Sequence, residues 1–170
     1  MAKVGLFFDT QTGKTADIAE QIQSALGGDS VVELNDINDV ELDKLSEYEC
    51  LIVGSPTWNV GELPDGWGGV VDDLSGLELA GKKIAYFGVG DQIGYADNFL
   101  DAMGILEKEL AEAGAETVVN WSSDGYEIEA SVELRGDVFV GLGLDEDNQP
   151  EKTEERIAAW SEQVKTAFSL

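Results

Sequence analysis

A hydroxyl-rich segment directly follows the first apolar run of the chain, Val4–Phe8. Three threonines and a glycine stand immediately before a helical pattern, in the order Thr10, Gln11, Thr12, Gly13, Lys14 and Thr15. Hydroxyls and backbone amides at the start of a helix bind phosphate well. A nucleoside-triphosphate loop would also need a glycine five residues before Gly13, and that position is Phe8. The segment therefore predicts a site for a single phosphate, with an ordinary capped turn as the alternative.

Two later loops each carry an aromatic side chain just beyond a predicted strand. Trp58 follows the third apolar run, and Tyr95 stands among glycines and acids after the fourth. In an open parallel sheet, ligands bind beyond the carboxyl ends of the strands, where the strand order reverses. We therefore expect a planar ligand held between the two aromatic faces, beside the phosphate. The alternative is that Trp58 folds back over the edge of the sheet.

Short apolar runs alternate with helical patterns, which is typical of an α/β domain whose parallel sheet is covered on both faces. Strands are predicted at residues 4–8, 31–34, 51–54, 83–87, 117–120 and 139–144. Helices are predicted at residues 14–26, 99–113 and 157–167, and a short acidic helix at 39–45. The polar segment 121–138 does not fit the alternation and predicts an insertion within or beside the fifth strand. With no linker and no repeat, residues 1–170 are expected to form a single domain.

The composition argues against several classes of protein. Ten Lys and Arg against 35 Asp and Glu give a formal net charge of −25, which disfavours nucleic acid and anionic membranes as partners. A hydrophobic fraction of 43% is too high for a disordered acidic chain. The single cysteine, Cys50, lies in an apolar run, so we expect a buried thiol and no disulfide or zinc cluster. No segment is long and apolar enough to span a membrane, and we expect a cytoplasmic monomer.

The sequence also lacks the residues of an acid–base catalyst. It contains no histidine, and Cys50 lies within a strand rather than beside a base. No nucleophile with an orienting base can be assigned, so no catalytic residue and no metal ligand is predicted.

Taken together, the motifs closely resemble the flavodoxin family. The resemblance is carried by residues 10–15, by Pro56-Thr57-Trp58-Asn59-Val60-Gly61-Glu62, by residues 90–99 and 101–107, and by residues 141–150. The insertion resembles that of the long-chain flavodoxins of cyanobacteria and algae. This resemblance implies a three-layer sandwich with a five-stranded parallel sheet of order 2-1-3-4-5. It also implies a noncovalently bound flavin mononucleotide, FMN.

The resemblance further implies which residues hold the flavin. Thr10–Thr15 would hold its phosphate, and Trp58 and Tyr95 would flank the isoalloxazine ring. The other cofactor-binding residues implied at the two loops are Pro56, Thr57, Asn59, Val60, Gly61, Val89, Gly90, Asp91 and Asn98. With no cation expected beside the ring and a net charge of −25, negative charge on the reduced flavin is disfavoured, so we expect a strongly reducing carrier.

Resemblance to the cyanobacterial members of this family implies a one-electron carrier that takes electrons from photosystem I. It passes them to ferredoxin–NADP⁺ reductase and replaces ferredoxin when iron is scarce. The alternative is an FMN-dependent quinone or nitro reductase on the same fold, which would need a pocket for a second substrate. A receiver-type signalling domain would need clustered acids at the strand ends, and Asp9 is the only one on the first strand.

Some residues near the expected flavin site depart from the pattern of the family. Asp9 stands where relatives usually have a small residue, and its carboxylate would weaken phosphate binding if it pointed inward. Gly66 and Gly68 thin an acidic patch near the flavin. The acids expected around the flavin edge, where they would meet basic docking surfaces, are Glu62, Asp65, Asp91, Asp97 and Asp101.

Overall fold

The main sheet is parallel, and its strands, numbered in chain order, lie in the order 2-1-3-4-5, as the resemblance implies. The computed structural model describes residues 3–9, 13–57, 63–93, 100–126, 134–135 and 138–170. The strands of this path are β1 (Val4–Phe8), β2 (Val32–Asp36), β3 (Cys50–Pro56), β4 (Lys83–Val89) and β5 (Glu116–Thr117). Cys50 is buried at the start of β3, as expected, and burial raises the pKa of its thiol.

Helices connect the strands and cover both faces of the sheet. They are α1 (Lys14–Ala25), α2 (Asp65–Gly68), α3 (Val71–Leu74), α4 (Asp101–Glu112) and α5 (Thr153–Phe168), with 3₁₀ turns at Leu42–Glu47 and Pro150–Lys152. The acidic helix predicted at 39–45 is wrong. That stretch buries only Leu45 within the 3₁₀ turn, so it has no apolar stripe that would stabilise an α-helix. In the described part of the chain, no helix has the length and apolar character needed to cross a membrane.

The two faces of the sheet bury two separate apolar clusters, because successive strand side chains point to opposite sides. In β1, Phe7 belongs to one cluster and Leu6 to the other. The Phe7 side is closed by α4 and the short helices, whose buried residues include Leu45, Trp67, Leu74, Leu106 and Leu110. The Leu6 side is closed by α1 and α5, whose buried residues include Ile18, Ile22, Ile157, Trp160 and Val164. Both layers therefore fix the sheet whose strand ends form the site described below.

The fifth strand of the sheet is divided by the insertion. Its first part, β5, pairs with the start of β4, and its second part, β9 (Leu142–Leu144), pairs with the end of β4. Between them, β6 (Trp121–Ser122), β7 (Leu134–Arg135) and β8 (Val138–Phe139) form a small antiparallel sheet. The predicted insertion is confirmed. The single strand predicted at 139–144 is wrong, because the chain changes sheets there: β8 pairs antiparallel with β6 and β7, whereas β9 pairs parallel with β4.

Tyr126 fastens the insertion to the main sheet. Its hydroxyl donates to the carbonyl oxygen of Gly143 in β9 at 2.5 Å and accepts from Trp121 Nε1 at 2.9 Å. The guanidinium of Arg156 lies 4.1 Å from the ring centroid, and Phe139 packs edge-on against the same ring. Burial raises the pKa of Tyr126 to about 12, against an ordinary value of 10.0. The neutral phenol is therefore the form that the fold stabilises.

Replacing Tyr126 by phenylalanine should flatten the loss of stability at alkaline pH. Because the pKa of Tyr126 is raised in the folded state, its contribution is complete below pH 10 and is lost as the pH rises towards 12. Urea unfolding of the wild type and of Tyr126→Phe at a series of pH values checks this. Tyr48 and Tyr86, whose pKa values burial also raises, are present in both proteins, so the difference isolates Tyr126. If the free energies of unfolding of the two proteins fell in parallel as the pH rose, the role of Tyr126 in alkaline stability would be contradicted.

Candidate functional site

The site lies where the order of the sheet reverses, at the carboxyl ends of β1 and β3. Gly13 immediately precedes α1 and has a φ of 86°, a left-handed conformation that L side chains rarely adopt. A Cβ at Gly13 would meet nothing within 4 Å, so the conformation, not crowding, favours glycine. The first-turn amides of Lys14, Thr15 and Ala16 have no acceptor within their own helix. This end of α1 therefore presents backbone donors and the positive end of the helix dipole to an anion.

Two side chains of the predicted phosphate segment, those of Thr15 and Lys14, differ in their surroundings. Thr15 is buried in the first turn of α1. Lys14 is half-exposed, and its Nζ lies 3.3 Å from Asp147 Oδ1 in the turn that follows β9. An exposed pair of this kind contributes little to stability. Lys14 is nevertheless a link between the start of α1 and the residues after β9.

The ends of β3 and β4 come together as predicted for the two loops. Pro56 pairs with Val89 in the parallel register, and the amide of Thr57 donates to the Val89 carbonyl oxygen at 2.9 Å. The Thr57 hydroxyl accepts the amide of Ala102, in the first turn of α4, at 3.2 Å. Beyond β4, the amide of Gly90 donates to the Leu144 carbonyl oxygen at 3.0 Å. These contacts between the described ends of β3, β4, β9 and α4 are made by backbone groups and one threonine hydroxyl.

Asp9 is buried at the end of β1. Its two carboxylate oxygens accept hydrogen bonds from Asn38 and Trp67, which do not belong to the start of α1. Oδ1 accepts from Asn38 Nδ2 at 2.9 Å, and Oδ2 accepts from the amide of Trp67 at 3.0 Å. A side chain at Gly66 would come within 2.5 Å of Asp9 Oδ2. The close approach of Asp9 therefore accounts for Gly66, which the sequence suggested only as a gap in an acidic patch.

The expected acidic rim needs one correction. Asp65 is exposed, as a docking residue should be. Asp101, in contrast, is only 7% exposed at the start of α4, where a carboxylate interacts favourably with the helix dipole. Asp91 Oδ1 accepts from the amide of Ile93 and from Asn148 Nδ2, at 3.0 and 2.7 Å, so this acid also organises the edge itself. Glu62 and Asp97 lie outside the described residues.

Eight of the predicted site residues are thus found at one edge of the sheet: Gly13, Lys14, Thr15, Pro56, Thr57, Val89, Gly90 and Asp91. The other nine lie outside the described residues: Thr10, Gln11, Thr12, Trp58, Asn59, Val60, Gly61, Tyr95 and Asn98. Sequence reasoning missed Gln92, Asp145 and Asn148, which are joined by hydrogen bonds at this edge. A turn rich in Asp and Asn directly after a strand was the available signal, but it did not show that Asp145 is fully buried.

An open parallel sheet of order 2-1-3-4-5 with a phosphate-type helix start at its point of reversal defines a protein of the flavodoxin-like α/β class. The flavodoxin family model matches residues 6–160. The chain is 53% identical over 170 residues to a flavodoxin of Synechococcus elongatus, with all of both chains covered, and 53% identical over 165 residues to one of Synechocystis, with 97% of both covered. The structure superposes on a Fusobacterium nucleatum flavodoxin bound to flavin mononucleotide with a TM-score of 0.92 and 28% identity, covering 99% of both chains.

The chain belongs to the flavodoxin family and is of the long-chain cyanobacterial type, as its motifs indicated. Flavodoxins are electron-transfer proteins and not enzymes, as the resemblance implied.

Proposed function

We propose that this protein is a low-potential one-electron carrier that uses noncovalent FMN and shuttles electrons from photosystem I to ferredoxin–NADP⁺ reductase in place of ferredoxin. Full-length likeness to cyanobacterial flavodoxins supports the choice of partners. The carrier works as a monomer in the cytoplasm, folded as one domain over residues 1–170. Its net charge of −25 opposes self-association and favours encounter with basic surfaces.

The residues of the site fit FMN, the cofactor expected of the family. The start of α1 combines a left-handed Gly13 with first-turn amides and a buried Thr15, which suits a dianionic phosphate. At the ends of β3 and β4, the amides of Thr57 and Gly90 are bonded to Val89 and Leu144, which fixes the backbone that would lie on the ring and ribityl side. When bound, the flavin accepts and donates single electrons. The protein supplies its position and the electrostatic environment.

The observation that carries the low-potential proposal is the scarcity of positive charge at this edge. Among the described residues at 13–15, 55–57, 89–93 and 145–149, Lys14 is the only cation, and it is paired with Asp147. Buried Asp9 and Asp145 add negative charge behind the site. Such surroundings disfavour additional negative charge on a bound group, so they make its reduction harder.

The test is to load the purified protein with FMN and follow its reduction by illuminated photosystem I, then its oxidation by the reductase with NADP⁺ as the final acceptor. Rapid electron transfer at both steps supports the proposal. Failure to bind FMN stoichiometrically would overturn it. Sustained turnover of a quinone or nitro compound with a nicotinamide donor, by this protein alone, would instead support the enzymatic alternative.

Removing the charge of Lys14 should change FMN affinity by less than about threefold, because its ammonium is half-exposed and already paired. The matched change Thr12→Val, within the predicted phosphate segment, should weaken FMN binding by about tenfold or more, because it deletes a hydroxyl donor to a charged group. Fluorescence titration of the apoproteins with FMN measures both. A Lys14→Ala variant that loses binding while Thr12→Val retains it would overturn this account of the phosphate site.

A further inference from the structure

Asp145, immediately after β9, is fully buried and is surrounded by nitrogen donors. Its Oδ2 accepts from the amide of Gln92 at 3.1 Å, from Gln92 Nε2 at 2.8 Å and from Asn148 Nδ2 at 2.9 Å. Its Oδ1 accepts from the amides of Asp147 and Asn148, at 3.1 and 3.0 Å, and from Asn148 Nδ2 at 3.1 Å. A carboxylate is the one side-chain group that can accept all these bonds, because it has two oxygens and no hydrogen to donate. The burial of its charge is compensated by these donors.

These bonds join two segments that are far apart in the sequence. Gln92 follows β4 in the segment that contains Gly90 and Asp91, while Asn148 belongs to the turn after β9. Asn148 Nδ2 also bonds Asp91 Oδ1 at 2.7 Å, and Gln92 Nε2 bonds Gln149 Oε1 at 2.8 Å. The turn at 145–149 therefore fixes the position of the segment after β4 through these hydrogen bonds.

The same turn reaches the start of α1, because Asp147 pairs with Lys14 at 3.3 Å. That pair is exposed and weak, whereas the bonds of Asp145 are buried and charge-assisted. The turn thus contacts both the start of α1 and residues 90–92, but its strong bonds are those to residues 90–92.

We propose that Asp145 is a positioning residue for the flavin site: it holds the Gly90–Gln92 backbone in the conformation that receives the ring side of FMN, without contacting the flavin phosphate. This inference rests on the proposed function. It assigns to a residue after β9 the role of shaping the segment after β4. A preformed segment lowers the conformational cost of binding, so loosening it should reduce affinity without abolishing the fold.

The test is Asp145→Asn, which keeps the size of the side chain but replaces one acceptor oxygen by an NH₂ group. Each carboxylate oxygen of Asp145 now accepts three hydrogen bonds. Whichever oxygen the NH₂ group replaces, it cannot accept those three bonds. The matched control is Glu146→Gln, which removes one negative charge at the adjacent position. Dissociation constants are measured for FMN and for riboflavin, which lacks the phosphate, together with the reduction potentials of bound FMN.

We expect Asp145→Asn to weaken FMN and riboflavin binding by a similar factor, about tenfold or more, because the loss lies on the ring side. The potential for full reduction of bound FMN should become less negative, since a looser segment admits water to the ring edge. Glu146→Gln should change each dissociation constant less than about twofold. Loss of FMN binding with riboflavin binding retained would overturn the proposal, and so would unchanged affinities and potentials accompanied only by easier unfolding of the apoprotein.

If Asp145→Asn does not fold, Asn148→Ala carries the test. Asn148 is exposed, and its Nδ2 bonds both Asp91 and Asp145. Removing the Asn148 side chain should weaken the binding of FMN and of riboflavin about threefold each. Dissociation constants equal to those of the wild type would contradict the inference. Wild-type protein that binds no FMN would contradict the proposed function instead, so the two failures are distinguishable.

Discussion

Replacing Asp9 by alanine is expected to lower the free energy of unfolding by about 3 kcal/mol. The substitution leaves the buried Trp67 amide without its acceptor and opens a space beside Gly66, whereas Asn38 Nδ2 keeps its bond to Asp36 Oδ1 at 2.8 Å. Unpaired donors in a buried position are costly because water does not replace the lost partner. Urea unfolding of the apoprotein, monitored by far-ultraviolet circular dichroism, measures the effect.

The control for this prediction is Asp39→Ala, which removes one carboxylate from an exposed position in the turn after β2 and should change stability by less than about 0.5 kcal/mol. A second variant, Asp9→Ser, tests whether the carboxylate opposes phosphate binding. Because both oxygens of Asp9 are bonded to Asn38 and Trp67, we expect no gain in FMN affinity from serine. A clear gain in affinity, or an Asp9→Ala variant as stable as the wild type, would contradict the role assigned to Asp9.

Raising the salt concentration from about 0.1 M to about 0.5 M should slow electron transfer with photosystem I or the reductase by about tenfold. A carrier of charge −25 is attracted over long distances to a basic docking surface, and such attraction raises association rates by about 10- to 1,000-fold. The Debye length is about 10 Å at 0.1 M and about 3 Å at 1 M, so added salt removes most of this attraction. Stopped-flow or flash kinetics across a salt series measures the rate constants.

Below about 0.1 M the rate can pass through a maximum, because strong attraction also favours encounters in which the flavin faces the wrong way. Single neutralisations should change the rate by less than about twofold if the overall field dominates. Asp65→Asn, at an exposed position of α2, and the matched Asp29→Asn, at an exposed position before the amino end of β2, test this. Rates that ignore salt would contradict the prediction, as would a single carboxylate that carries nearly the whole effect.

The sequence predicted the layout of the sheet and one half of the site. The apolar runs at β1, β3 and β4 and the pattern of α1 indicated a parallel sheet, because a parallel sheet buried on both faces requires unbroken apolar strands. The resemblance to flavodoxins implied the order of the strands. Gly13 stands directly before the helical pattern of α1, and its role there depends only on its own backbone conformation, which L side chains rarely adopt. The short 3₁₀ turn at Leu42–Glu47 was predicted as a helix because acidic, helix-forming residues suggest one even where only Leu45 is buried.

The network of Asp145 and the surroundings of Asp9 could not be predicted in the same way. Asp145 and Gln92 are 53 residues apart, and Asp9 and Trp67 are 58 residues apart. No local pattern indicates which donors will surround a carboxylate. The same limit explains Asp101, whose charge suggested a docking residue although it is buried at the start of α4.

The sequence by itself determined the class of the fold, the family and the composition of the phosphate segment, because each depends on periodicity or on contiguous motifs. Only the tertiary structure decided which acids face solvent and which are bonded inside: Asp65 is exposed, whereas Asp9 and Asp145 are buried among donors from distant segments. The physical reason is that burying a charge is favourable only where several partners converge on it, and that convergence is a property of the folded chain.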